Sequence, residues 1–459
     1  MIIDWQNKKV AILGFGIEGM ETARFLQKKG ASVWILDKRQ KEYFEQDLIT
    51  EMELLGAQFS FGKEYLQHLT DYDVVIRSPG VRYLLPELVA AKEKGVVITS
   101  HTKIFFDLCP CPIIGVTGTK GKGTTATLIY QMLQEAGIDA FLGGNIGTPP
   151  LAFLNRLQPS SIVVLELSSF QLQDMTKSPH IAVMLMVTSE HLDHHATHEE
   201  YVNAKRNILR FQTTQDFAVI NRDYPASNES NIETDGEIFY VSRERETNNG
   251  CFALHGKIVV RRDDNDDEII TTKEIALPGK HNFENVCAAV MAARLAGVSK
   301  KYIVSVLETF AGLTHRLELI REVDGVKYYD DSFSTTPETA IAAIESFEQP
   351  KILILGGSSK NSDFTELGKV IRESDSIKAI IGIGEEWWRI KEELGTMNQE
   401  SRILLVENAE TMHQIVLAAS KIAQKGDVVL LSPACASYDM FKNYKDRGEQ
   451  FQKEVLGLA

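Results

Sequence analysis

Between residues 115 and 125 the chain reads Gly115-Val116-Thr117-Gly118-Thr119-Lys120-Gly121-Lys122-Gly123-Thr124-Thr125, after the apolar run Pro112-Ile113-Ile114 and before a helical pattern from Ala126 to Ala136. A strand, a glycine-rich turn, lysines and hydroxyls at a helix start make a phosphate cradle. Backbone N–H groups and the helix dipole face the anion, Lys122 adds a point charge, and a hydroxyl can hold Mg²⁺. The spacing departs from the usual form: Gly123 stands where Ser or Thr normally follows the lysine, which moves the expected magnesium hydroxyl to Thr124. Gly118, Thr119, Lys120, Gly121, Lys122, Gly123, Thr124 and Thr125 are the expected triphosphate-binding residues; an ordinary glycine turn is the alternative.

A second turn, Gly14-Phe15-Gly16-Ile17-Glu18-Gly19, follows a predicted strand and opens a helix, and Asp37 ends the next strand. That is the GxGxxG setting for a diphosphate, with Asp37, Lys38 and Arg39 where a sugar or phosphate would lie. A nucleotide diphosphate suits it, with NAD or purely structural glycines as alternatives. Ser78-Pro79-Gly80 falls on the same carboxyl edge, as a ligand loop or as simple punctuation. Glu166 closes an apolar strand before Leu167-Ser168-Ser169-Phe170-Gln171. A carboxylate there suits a hard cation, and a solvated strand end is the bland reading. Histidines crowd the stretch His191-Leu192-Asp193-His194-His195-Ala196-Thr197-His198, but their spacing fits no zinc pattern and no thiolate is near. His191 reads as reaching Mg²⁺ or phosphate, the others as a solvated helix start. Lys205, on a predicted helix, reads from spacing alone as a surface residue.

These groups need rigid elements behind them. Strands over 9–13, 32–36, 74–77 and 96–99 alternate with helices over 18–29 and 88–94, and Pro110 and Pro112 mark the entry to the phosphate-turn strand. The middle section carries strands over 161–165 and 181–187, and a long helix after Leu277-Pro278-Gly279-Lys280-His281-Asn282. Its charged stretches 228–235 and 261–268 predict solvated loops around a β-meander. Beyond Thr314, apolar runs at 351–355, 379–383, 403–406 and 428–431 again alternate with helical segments. The expectation is an α/β chain of three domains. Residues 1–101 form an N-terminal Rossmann-like domain, and 102–312 a central P-loop ATPase-type domain with a mostly parallel sheet and a small β part. Residues 313–459 form a C-terminal Rossmann-like domain.

Composition narrows the partners. The chain has 459 residues, is 44% hydrophobic and 24% charged, and carries a net charge of −14. An acidic surface disfavours nucleic acid and anionic membrane, and suits a monomer acting on small molecules. The N-terminus lacks a signal-peptide pattern, and no apolar run reaches the ~18 residues of a membrane span. Five scattered cysteines without a CxxC pair read as reduced thiols in the cytoplasm.

Taken in order, Thr117 to Lys122, Gly144-Asn145-Ile146-Gly147, Glu166 to Gln171, His191, Lys205, Leu277-Pro278-Gly279 with His281-Asn282, and His315-Arg316 resemble the Mur ligases. The segment Leu431-Ser432-Pro433-Ala434-Cys435-Ala436-Ser437, with Asp439, Phe441-Lys442-Asn443 and Arg447-Gly448, is similar to the branch of that family that adds D-glutamate. The resemblance runs from Gly14 to Phe451. It implies an ATP-dependent, ADP-forming amide ligase joining D-glutamate to UDP-N-acetylmuramoyl-L-alanine in cytoplasmic peptidoglycan precursor synthesis. By position it implies UDP-substrate contacts at Gly16, Ile17, Glu18, Asp37, Lys38, Arg39, Ser78, Pro79, Gly80 and Asn145. Catalytic roles fall to Lys122, His191 and Lys205. Two Mg²⁺ ions would be held by Thr124, Glu166, His191 and a carbamylated Lys205, whose charge then becomes carboxylate-like. Asn285, Arg316 and Asp331 would add to the ATP site, and Lys360, Ser437 and Tyr444 would hold glutamate.

In the reaction so implied, a carboxylate attacks the γ-phosphorus of ATP, and the glutamate amine then attacks the acyl phosphate while the closed third domain excludes water. The chain departs from the family in Asp330-Asp331-Ser332-Phe333-Ser334-Thr335-Thr336-Pro337, where Asn-Asp-Ser-Lys-Ala-Thr-Asn is usual. Phe333 thus replaces a lysine near the amino-acid substrate. The Lys-Gly-Thr order of the phosphate turn also resembles folylpolyglutamate synthase, which lacks a full nucleotide-binding domain before that turn. The rivals are another Mur-type ligase with a different acceptor, including L-glutamate, a non-catalytic nucleotide-binding module, and an NAD-dependent dehydrogenase.

Overall fold

The computed structural model describes residues 3–188, 197–359, 362–395 and 403–458. It divides into two compact units, one running to Ile275 and joined by His281–Glu308, the other comprising Ala276–Lys280 and the chain from Thr309 onward.

The first unit contains two sheets. The five-stranded sheet is entirely parallel, in the spatial order Gln58–Phe61, Ser32–Asp37, Lys9–Leu13, Val74–Arg77 and Val97–Ser100. Both of its faces are covered. Val10 and Ile12 enter one apolar cluster while Ala11 and Leu13 enter another, the period-2 alternation of a strand buried on both sides. The nine-stranded sheet places the phosphate-turn strand, Ile113–Thr117, between Ile181–Met184 and Ile162–Glu166, with Ala140–Gly144 at its edge. From Ile181–Met184 the sheet continues through Phe217–Asn221, Glu237–Ser242 and Gly250–Leu254, all parallel, and ends in Lys257–Arg262 and Asn265–Thr271, each antiparallel to the strand before it. The second unit is a six-stranded sheet that is parallel except for the pair Glu318–Val323 and Val326–Asp330. Leu353 and Leu355 pack on one face of it, Ile352 and Ile354 on the other. The α/β class and the mostly parallel sheets agree with the sequence reading.

Four details differ. The stretch 261–268, expected as a solvated loop, is the hairpin between the last two antiparallel strands, turned at Asp263 and Asp264 with φ of 50° and 60°. Its charges are those of an exposed edge: Arg261 pairs with Asp266 and Glu246, and Lys257 with Glu268. Within 228–235, Glu229–Glu233 forms a short 3₁₀ helix. The helix after the phosphate turn begins at Lys122 rather than Ala126, because Gly121 in a left-handed conformation can cap it there. Cys109 and Cys111 are not scattered: their sulfurs lie 3.6 Å apart. Among the described residues no helix is long and apolar enough to cross a membrane.

Candidate active site

The phosphate turn joins the strand Ile113–Thr117 to the helix Lys122–Glu135, so Lys122, Gly123 and Thr124 occupy the first helical turn, where backbone N–H groups are free of intrahelical partners. Gly121 has φ of 83°, and a Cβ there would stand 2.0 Å from Asn285 Oδ1. Asn285 is thereby placed against the turn itself, with Thr125 Oγ1 3.5 Å away and its own amide donating to Asn282 at 2.9 Å. The Lys122 ammonium donates to the Thr119 carbonyl at 2.9 Å, folding back over the turn.

Lys205 is the largest departure from the sequence reading of this region. Only 2% of it is exposed, and its Nζ donates to the Gly118 carbonyl at 2.7 Å while lying 4.6 Å over the Tyr201 ring. The helix His198–Arg206 that carries it is fastened to the turn by the Tyr201 hydroxyl, 3.0 Å from Thr119 Oγ1. Tyr201 had no signal of its own in the sequence, since an aromatic at helical spacing reads as core.

Glu166 lies opposite Val116 in the strand register, two residues before Gly118. It is buried; one carboxylate oxygen accepts from Asn145 Nδ2 at 3.1 Å, and the other, Oε2, has no hydrogen-bond partner among the described residues. A buried carboxylate oxygen left unpaired is costly unless something positive completes it. With the Thr124 hydroxyl on the adjoining helix turn, the donors are hard oxygens, which fit Mg²⁺ and not a soft metal. His191, with its neighbours His194 and His195, lies outside the described residues, as does Lys360.

In the five-stranded sheet, the Asp37 carboxylate accepts from the Phe15 amide at 2.8 Å, from the Arg39 amide and Nε at 2.9 Å each, and from Arg39 Nη2 at 2.8 Å. Burial works against its charge, but the hydrogen bonds from Arg39 and Phe15 prevail and lower its pKa. Asp37 thus braces the first glycine turn. The Arg39 guanidinium lies 4.6 Å from the ring centres of both Tyr43 and Phe44, and Lys38 is exposed. Gly16 caps the helix Ile17–Lys28 and Ile17 stands 67% exposed, an apolar side chain at the mouth of an otherwise polar edge. The Glu18 side chain is committed elsewhere: it pairs with His101 Nε2 at 2.9 Å and accepts from Gln171 Nε2 at 3.3 Å, next to the Glu166 loop. Arg77, immediately before Ser78-Pro79-Gly80, is 1% exposed and donates to the Val81 and Phe170 carbonyls and to Asp174. Nothing in the sequence marked Arg77, because its role depends on a partner 97 residues away.

In the second unit, Arg316 sits between two residues with left-handed backbone, His315 (φ 62°) and Leu317 (φ 48°). Such conformations cost of order 1–3 kcal/mol each outside glycine and persist only where the surroundings hold them. Asp331 Oδ1 accepts from the Leu317 amide at 3.2 Å, Glu318 accepts from the His315 amide at 2.9 Å, and the Phe333 amide donates to the His315 carbonyl at 3.0 Å. Burial drives the Asp331 pKa up to about 7, aided by neighbouring Asp330 and opposed by hydrogen bonds from Ser334, Ser432 and the Leu317 amide. His315, Glu318 and Asp330 form a tight cluster of potential metal ligands. They already satisfy one another: His315 Nδ1 is 2.7 Å from Asp330 Oδ2, and Gln452 Nε2 donates to Asp330 and Glu318 at 2.9 and 3.0 Å. Burial lowers the His315 pKa, but the Asp330 hydrogen bond and the charges of Asp330, Glu318 and Glu449 raise it overall. The cluster is a hydrogen-bonded brace.

Arg447, fully buried, spans the loops on either side: Nε and Nη2 donate to Ser332 Oγ and O at 2.9 Å, and Nη1 to the Cys435 and Ala436 carbonyls at 3.2 Å. It sets the backbone next to Ser437, which is 2% exposed, and next to Tyr444, whose carbonyl accepts from Ser332 Oγ at 2.8 Å. The sequence marked Arg447 as part of a motif without disclosing this bridging role.

Comparison with known proteins places this arrangement. Residues 8–100 match the model of the Mur ligase MurD-like N-terminal domain, 116–293 the Mur ligase middle domain, and 315–435 the Mur ligase glutamate ligase domain. The UDP-N-acetylmuramoylalanine–D-glutamate ligase of Acetivibrio thermocellus is 41% identical over 99% of this chain and 97% of its own length. The enzyme of the same name from Ruminiclostridium cellulolyticum is 38% identical over 99% and 98%. Among solved structures, MurF from Acinetobacter baumannii superposes with a TM-score of 0.62 at 16% identity, covering 94% of this chain and 91% of that one. A pseudomurein peptide ligase type C from Methanothermus fervidus gives 0.58 at 17% identity, covering 98% and 100%; these two likenesses concern the fold. With its phosphate turn, buried Glu166 and left-handed Arg316 turn set on matching domains, and with relatives alike from end to end, the chain belongs to the Mur ligase family.

Proposed function

We infer that the chain is an ATP-dependent ligase that joins D-glutamate to UDP-N-acetylmuramoyl-L-alanine in peptidoglycan precursor synthesis. The observation that carries this is the end-to-end similarity, at 41% identity, to a ligase of that name, in a chain that retains the phosphate turn beside a buried, half-satisfied Glu166. The alanyl carboxylate attacks the γ-phosphorus of ATP, ADP leaves, and an acyl phosphate forms. The glutamate amine then adds to the acyl carbon, phosphate is expelled, and the amine proton passes to solvent.

The residues divide the task between the units. In the first, the 14–19 turn with Asp37, Lys38 and Arg39 receives the UDP, and Ser78-Pro79-Gly80 and Asn145 flank the muramoyl part. Lys122 and the N–H groups from Gly118 to Thr125 hold the β- and γ-phosphates, and Asn285 supports the turn they leave from. Thr124, Glu166, His191 and Lys205 are the residues that would hold Mg²⁺, which when bound offsets the negative charge on the phosphates. Lys205 would serve there only once carbamylated, since a free ammonium repels the ion. In the second unit, Arg316 reaches the nucleotide, Asp331 braces the turn presenting it, and Ser437, Tyr444 and Lys360 hold the amino acid.

Phosphate release by the purified chain, with each substrate omitted in turn and L-glutamate replacing D-glutamate, tests the reading. Release is expected only with ATP, the muramoyl nucleotide and D-glutamate together; equal turnover without the muramoyl nucleotide would sink it. A mass increment of one CO₂ on the peptide containing Lys205 is the separate test of carbamylation.

A further inference from the structure

A short chain of rings in edge-on contact runs through the second unit beside its left-handed turn. The Arg316 guanidinium carbon lies 3.7 Å from the centre of the Phe333 ring. Phe333 meets Tyr444 edge-on at 5.1 Å and 87°, and Tyr444 meets His315 edge-on at 6.2 Å and 86°. The backbones are tied along the same line, by the Phe333 amide to the His315 carbonyl and by Ser332 Oγ to the Tyr444 carbonyl. Yet Phe333 is 37% exposed, so apolar burial does not account for its placement. What the ring does make is a face for a cation and an edge contact for a tyrosine.

We propose that Phe333 is a positioning residue that fixes the plane of the Arg316 guanidinium for the nucleotide and, through Tyr444, couples that arginine to the amino-acid pocket. A guanidinium offers its donors in its own plane. A ring against its face therefore restrains tilt and excludes water from one side without consuming a single N–H. A carboxylate partner would restrain Arg316 equally well but would occupy two of those donors, and an ammonium in the place of Phe333 would repel it. The same ring abuts Tyr444, so a displacement of Arg316 on nucleotide binding is transmitted to the tyrosine by contact. The proposal rests on the reading that Arg316 meets the nucleotide and Tyr444 the amino acid.

The test uses the full chain with Phe333→Tyr, Phe333→Leu and Phe333→Ala, measuring phosphate release against ATP and against D-glutamate separately, with a thermal melt of each. Phe333→Leu retains apolar bulk and lacks the π face, so it carries the test if Phe333→Ala fails to fold. The KM for ATP is expected to rise about three- to fivefold in the Leu and Ala variants, the size of an exposed cation–π contact. The D-glutamate KM should rise with it, kcat should change less, and Phe333→Tyr should stay within about twofold of the parent. A Leu variant indistinguishable from the Tyr variant would reduce Phe333 to a spacer and overturn the proposal. A rise in the ATP KM alone would overturn the coupling. Failure of the parent chain to release phosphate with all three substrates would instead overturn the functional reading, and calorimetric binding of a non-hydrolysable ATP analogue to parent and Leu variant separates the two cases.

Discussion

Each unit carries a turn with positive charge, and the two turns are built by opposite means. At 118–121 the proposed ligand-bearing surface is the backbone itself: Gly118 and Gly121 have φ of 157° and 83°, and added Cβ atoms would stand 2.8 Å from Leu185 Cβ and 2.0 Å from Asn285 Oδ1. Glycine supplies that conformation without strain. At 315–317 the proposed ligand-bearing group is the Arg316 side chain, and its flanking residues, a histidine and a leucine, hold left-handed backbone against their own preference. The first turn takes its backbone shape from its own glycines, with Lys205, Tyr201 and Asn285 packed against it. The second has Glu318 beside it but needs Asp331 and Phe333 to arrive from elsewhere in its unit. A phosphate cradle can therefore be specified in a dozen residues, whereas a precisely aimed arginine requires the whole sheet behind it.

Removing the charge of the local turn has the largest effect on activity. Lys122→Ala should lower kcat by about two to three orders of magnitude, the scale of losing a preorganised group at a developing charge. The melting temperature should change little, because the bond Lys122 makes to the Thr119 carbonyl lies at the helix start and is partly exposed. A rate within tenfold of the parent, at equal folding, would mean that the phosphates lie elsewhere.

The other turn is broken through its support. Burial pulls the Arg447 guanidinium down to about 10, which leaves it charged at neutral pH, and it satisfies three buried carbonyls at once. Arg447→Ala strands those acceptors, and the expected cost is about 3 kcal/mol or more, read as a lowered denaturation midpoint. Lys substitution should recover little, since one ammonium cannot span the same fork. The comparison fails if Arg447→Ala unfolds no more easily than Gly121→Ala. That change disturbs one turn, forcing a side chain into a left-handed site against Asn285, at about 1–3 kcal/mol.

The same distinction decides what could be read from the chain before it folded. The strands around Lys9–Leu13, Val74–Arg77 and Val428–Leu431 were legible because their apolar runs are short and bounded by turn residues. Gly118 to Thr125 was legible because spacing and residue type carry the chemistry. The burial of Lys205 was not, since its partner is a backbone carbonyl 87 residues away, and neither was that of Arg77, whose partner is 97 residues away. The stretch 261–268 reads as a loop around a β-meander although it carries strand, because an exposed edge strand has the same charged composition as a loop. Phe333 was visible as an oddity of sequence, and its contact with Arg316 only as a fact of structure.

The smallest effect, and the one that best separates the turns, is their response to pH. In the first unit Asp37 has a lowered pKa, so its contribution is present above its ordinary 3.8 and disappears only in acid, as pH falls through the lowered value. In the second unit the signs reverse. His315 has a raised pKa, so the stability its proton brings is complete below the ordinary 6.5 and is lost as pH rises through the folded value. Asp331, raised from 3.8 to about 7, binds a proton in the fold that the unfolded chain has released, so its term also weakens as pH climbs between those values. An ionised Asp331 is the better acceptor for the Leu317 amide, but it is also a buried charge, and that cost together with the lost His315 proton makes the fold around the turn easier to open. Hydrogen exchange, corrected for its intrinsic pH dependence, should therefore show the Leu317 and Phe333 amides losing protection as pH climbs from 3.8 to about 7. Over the same interval the Phe15 amide, which donates to Asp37, should hold steady. Asp331→Asn should flatten the response at Leu317 while leaving that at Phe15 as it was. Equal loss of protection at all three amides would show global unfolding instead, and would erase the distinction between a turn held by its own glycines and one held by titrating neighbours.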